Sequence, residues 1–191
     1  MDKIGEKIGV IAVFFTMISI SSSPYPITLV LSYVIHELGH LVLAKINNIP
    51  MKKFKVGSFR ISLSYDCSNV SYKKEMALCF GGILFNFIAV LIAWISGLSG
   101  SEVGDFFVLC NISLAAVNLY PVSVLDGGGI LRCALMMIFD SCKAQKASKI
   151  ISFVAVFFLW LCAVYLQLVF DANISMLFIS IFLLIELCFS A

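Results

Sequence analysis

The chain is 191 residues long, 61% hydrophobic and 13% charged, with a formal net charge of +2. Soluble domains are about a quarter charged, so a water-soluble core does not account for this composition. So small a charge, with no basic tract interleaved with aromatics, also excludes nucleic acid as a partner.

Six apolar stretches, taken in chain order, are long enough to cross about 30 Å of hydrocarbon. They are residues 4–21, 26–46, 75–98, 104–122, 148–170 and 173–190. The first has Lys3 and Lys7 at its start and shows no small-x-small cleavage site, so it reads as a retained anchor. The last two meet around Asp171–Asn173 as an antiparallel hairpin. Polar segments follow the second span (47–74) and the fourth (123–147). All thirteen Lys and Arg lie in the N-terminal tail, in 45–74 or in 132–149, whereas the opposite connections hold only Glu102, Asp105 and Asp171. The positive-inside rule then places both termini and both long polar segments in the cytoplasm. The expectation is an all-α polytopic membrane protein, one domain over 1–191, with six transmembrane helices.

The two histidines both fall in the second span, as His36-Glu37-Leu38-Gly39-His40. Positions i and i+4 share a helix face, so both imidazoles can bind one Zn²⁺ while Glu37 reaches a metal-bound water. An ionised residue at the centre of a span costs about 2.5–3.5 kcal/mol even on the lenient insertion scale. Chance is therefore a poor explanation for the motif here. The span runs inward and ends near Lys45, which puts the histidines within the membrane but nearer the cytoplasm.

After this span, Phe54 and Val56 precede Gly57-Ser58, and Phe59, Ile61, Leu63 and Tyr65 then alternate with polar residues. Period two around a two-residue turn predicts a short cytoplasmic-side β-hairpin. Its edge either pairs with an unwound substrate segment or only anchors the loop.

A catalytic zinc needs a third protein ligand, and no histidine remains. A carboxylate is the first choice and a cysteine the second. However, the seven cysteines form no Cys-x-x-Cys pair and sit mostly in apolar runs. Glu102, Asp105 and Asp171 are on the wrong side, and Asp66, Glu75, Asp140 and Glu186 sit at boundaries where a carboxylate is solvated. Asp126 follows a break at Pro121 and precedes Gly127-Gly128-Gly129, at about the depth of His40. It is either a ligand or the start of an ordinary Asp-Gly turn. A short helix lying in the interface is expected over 130–140.

The His-Glu-x-x-His motif, with Asn118-Leu119-Tyr120-Pro121 and Leu125-Asp126-Gly127-Gly128 on a later span, resembles the site-2 proteases. These are intramembrane zinc endopeptidases, and the arrangement is similar to their sporulation-type branch. No PDZ-like insertion is seen and no CBS domain is expected. The resemblance implies one catalytic Zn²⁺ held by His36, His40 and Asp126, Glu37 as general base, and Asn118 supporting substrate or transition state. A further family motif, Gly-Pro-x-x-Asn, is matched in part by Gly82-Ile83-Leu84-Phe85-Asn86, which adds Asn86 as a second supporting residue. The resemblance implies cleavage of a transmembrane or membrane-tethered protein near the cytoplasmic face, in regulated proteolysis such as that of a sporulation transcription-factor precursor. The expected setting is a multi-pass prokaryotic cell-membrane protein in a lipid bilayer, with an inhibitor or accessory membrane protein left open. The alternative is a non-proteolytic membrane protein that uses the same site for metal binding or transport.

Overall fold

The computed structural model describes residues 24–56, 61–65, 70–170 and 175–189. Their elements are α1 (Tyr25–Ile46), β1 (Met51–Val56), β2 (Ile61–Tyr65), α2 (Tyr72–Ile95), α3 (Glu102–Leu119), α4 (Asp126–Ile138), α5 (Ser141–Phe170) and α6 (Ser175–Phe189). Among the described residues α1, α2, α3 and α5 are long and apolar enough to cross a membrane. They correspond to four of the six expected spans. The first expected span, 4–21, lies outside the described residues. The last falls on α6, whose 15 residues extend only about 22 Å at 1.5 Å per residue.

The chain divides into two compact units, residues 1–71 with 81–116, and residues 72–80 with 117–191. In the first unit, α1 starts at Pro24 and Pro26, where a missing N–H costs nothing. It ends with Asn48 in the left-handed region (φ 55°), and the Ile49 N–H bonds back to the Ala44 carbonyl at 2.9 Å. The C-terminal end of α2 closes in the same way, with Gly97 at φ 71° and the Leu98 N–H on the Ala93 carbonyl at 3.0 Å. The Ser101 hydroxyl accepts the Gly104 N–H at 3.1 Å and so caps α3. Ala89, Ala93 and Phe107 form a small core, with Ile35 and Val108 packed against it.

β1 and β2 pair antiparallel, from Met51 opposite Tyr65 to Val56 opposite Ile61, with an irregularity between Met51 and Lys53. The expected two-residue turn at Gly57-Ser58 lies in residues 57–60, outside the described residues.

In the second unit, Val122, Ala155, Val156, Leu183 and Leu187 form the core. Two expectations change here. The helix expected over 130–140 begins at Asp126, and its three glycines lie inside its first turn, where an Asp-Gly turn was the alternative. Only Gly97 and Gly100 among the described glycines have positive φ, so Gly127–Gly129 are not needed for left-handed backbone. A Cβ on Gly128 would instead run into the Val122 carbonyl; the glycines let α4 pack against the segment before it. The helix expected from 148 starts at Ser141, adding Lys143 and Lys146 to its first turns.

Candidate metal centre

One face of α1 is polar at a four-residue interval. Thr28, Ser32, His36, His40 and Ala44 are buried, whereas Leu31, Val34, Leu38 and Val42 are exposed. That is the reverse of a soluble helix and suits one that faces hydrocarbon on one side and protein on the other. Ser32 donates to the Thr28 carbonyl at 2.8 Å and accepts from Asn111 Nδ2 at 2.9 Å. Its role is therefore helix-to-helix hydrogen bonding, and not the lining of a water cleft.

The two imidazoles converge. His36 Nε2 and His40 Nε2 are 3.3 Å apart, with the rings edge-on at 82°. Two Zn–N bonds of about 2.0–2.1 Å at a tetrahedral angle set their nitrogens roughly 3.3–3.4 Å apart. The pair therefore fits a single zinc ion as it stands.

Glycines on α2 leave the space. A Cβ on Gly81 would lie 2.7 Å from the Gly39 carbonyl oxygen, and one on Gly39 would run into the Gly81 carbonyl. A Cβ on Gly82 would lie 2.5 Å from His36 Cε1 and 2.6 Å from His40 Nε2. Any side chain at 82 would thus occupy the space at the metal-binding edge of the rings. Four residues on, and on the same face, Asn86 is fully buried with its Nδ2 3.1 Å from His36 Nδ1. Sequence reasoning missed Gly82.

Glu37 is half-buried beside His36 on α1. The expected site residues His36, Glu37, His40 and Asn86 therefore all lie in the first unit.

Asn118 and Asp126 lie in the second. Asn118 is half-buried on the last turn of α3. Asp126 is the first residue of α4, an acidic side chain in the helix's first turn. The segment leading to it is tied to α5. The Tyr120 hydroxyl donates to the Ala155 carbonyl at 2.9 Å, and the Ser123 N–H donates to Ser152 Oγ at 3.0 Å. The Leu125 N–H closes the turn on the Val122 carbonyl at 2.8 Å. Glu75, expected to be solvated, is 9% exposed and forms an ion pair with Arg132 of α4. A cavity of about 680 Å³ beside this segment is lined by Ser123, Arg132, Ser148, Lys149, Phe153 and Leu187, among others.

Residues 100–162 match peptidase family M50. The chain is 27% identical over 164 residues to stage IV sporulation protein FB of Bacillus subtilis (strain 168), covering 83% of this chain and 56% of that protein. It thus spans little more than half the length of this relative. In fold it is similar to the site-2 protease from Methanocaldococcus jannaschii, with a TM-score of 0.67 and 23% identity over 93% of this chain and 84% of that one.

Proposed function

We propose that this chain is a site-2 protease, a zinc-dependent intramembrane endopeptidase that cuts a transmembrane or membrane-tethered protein near the cytoplasmic face. The observation that carries the reading is the 3.3 Å convergence of two Nε2 atoms within an apolar helix. The family resemblance adds Asp126 as the third ligand, and two imidazoles with one carboxylate are a donor set that suits catalytic zinc. His36, His40 and Asp126 are the proposed ligands.

A bound zinc ion would lower the pKa of water towards neutrality and polarise the scissile carbonyl. Glu37 accepts the proton of the attacking water and returns it to the leaving amine. The Asn118 amide donates to the oxygen on which negative charge develops. A protease needs extended substrate backbone, so a substrate helix must unwind before cleavage. The pairing of β1 with β2 supports a role for this strand pair in accepting the unwound segment.

The charge distribution supports six spans with both termini and both long polar segments in the cytoplasm of a prokaryotic cell. The name of the Bacillus relative ties that protein to sporulation, which supports a regulatory precursor as the substrate class here.

The test is cleavage of a tethered candidate substrate in reconstituted vesicles. Glu37→Gln should keep its zinc and lose cleavage by at least about a hundredfold. Equal cleavage by variant and wild type would sink the mechanism. Asp126→Asn should lower bound zinc while the helical signal persists; unchanged zinc content removes Asp126 from the ligand set.

A further inference from the structure

His36 has two ring nitrogens, and the structure gives each a different neighbour. Nε2 faces His40 Nε2 at 3.3 Å, whereas Nδ1 faces the Asn86 side-chain amide at 3.1 Å. Asn86 is 0% exposed, comes from a different helix, and its Oδ1 has no hydrogen-bond partner among the described residues. A buried amide oxygen left this way is costly, so it has a use elsewhere in the cycle of the site.

The chemistry of a histidine ligand supplies that use. An imidazole that offers its Nε2 lone pair to a metal carries its proton on Nδ1, and that N–H needs an acceptor. A half-turn of the Asn86 amide exchanges two groups of nearly equal size. It places Oδ1 at Nδ1 without new packing and satisfies the buried oxygen in the same movement. The orientation seen, with Nδ2 toward Nδ1, serves the other tautomer, in which Nδ1 accepts and Nε2 carries the proton towards His40. One neutral side chain therefore serves both protonation patterns. A carboxylate could serve only the first and would add a buried negative charge to an apolar layer.

We infer that Asn86 is the positioning residue for His36: its amide fixes which ring nitrogen faces the metal, and it does not bind substrate. This rests on the zinc-protease reading and replaces the substrate-supporting role that the sequence motif implied for Asn86.

With two histidines in the whole chain, ¹⁵N-histidine labelling reports both rings and little else. The measurements are zinc affinity by chelator competition and the ring ¹⁵N spectrum of zinc-loaded protein in bilayers. Wild type should show His36 with its proton on Nδ1. Asn86→Ala should weaken zinc binding by about 10–100-fold and alter the His36 signals while leaving those of His40. Asn86→Asp, which can only accept, should restore both the affinity and the Nδ1–H signal. Wild-type affinity and unchanged ring signals in Asn86→Ala, with reduced cleavage, would overturn the assignment in favour of substrate contact. Should Asn86→Ala not fold, Asn86→Asp decides alone, because loss of its Nδ1–H signal overturns the assignment and retention supports it. A wild type that takes up no zinc overturns the parent reading and this one together, whereas zinc uptake that Asn86→Ala leaves unmoved overturns this one alone.

Discussion

Gly82 is where a single hydrogen atom decides the chemistry. Its missing Cβ would stand 2.5–2.7 Å from His36 Cε1, His40 Nε2 and His36 Nε2. Gly82→Ala should therefore reduce bound zinc to a small fraction of wild type, while the helices, for which alanine is the better former, keep their circular dichroism. Normal zinc content in that variant would mean the rings can move aside. The two histidines were legible in the sequence, because spacing of four on a helix is a local property. Gly82 was not legible, because its role exists only where α2 reaches the rings on α1. Asn86 entered through the partial Gly-Pro-x-x-Asn match, but its contact with His36 was not legible, because the two lie 50 positions apart.

The segment from Pro121 to Leu125 shows how elements hold a residue in place. It has no regular structure of its own, and its position comes from Val122 in the core, from the hydrogen bond of Ser123 to α5 and from that of Tyr120 just before it. Ser152 is fully buried and accepts the Ser123 N–H. Ser152→Ala should destabilise the protein by about 1–3 kcal/mol, since a partly buried donor loses its acceptor. Amide exchange at Ser123 should accelerate in step, and unchanged exchange there would show that the segment is held by packing alone. The break after α3 was readable from Pro121. That Asp126 begins a helix was not, because Asp-Gly-Gly-Gly is poor helix sequence and α4 packs only because its glycines admit the Val122 carbonyl and, at Gly129, Cys79 Sγ. The pairing of Glu75 with Arg132 escaped the sequence for the same reason: the partners are 57 residues apart.

Among the described residues four helices are long and apolar enough to cross a membrane, and Ser32, Asn86, Asn111 and Ser152 on them are buried. Its sidedness is a testable whole-chain property. A reporter active only outside the cytoplasm should work when fused at Gly100 and stay silent when fused at Asp140. Activity at Asp140 would reverse the proposed orientation and move the candidate site to the other face.

The sequence by itself indicated an apolar surrounding and two imidazoles on one helix face, and it offered Glu37 as the proposed general base and Asp126 as the proposed third ligand. Apolar run length, helical period and the sorting of charge are all written within a few neighbouring residues. Tertiary structure alone decided that Gly82 must be bare, that Asn86 faces His36 Nδ1, and that Asp126 stands at a helix N-terminus. These depend on which backbones approach within about 3 Å, a distance set by packing between residues far apart in the chain.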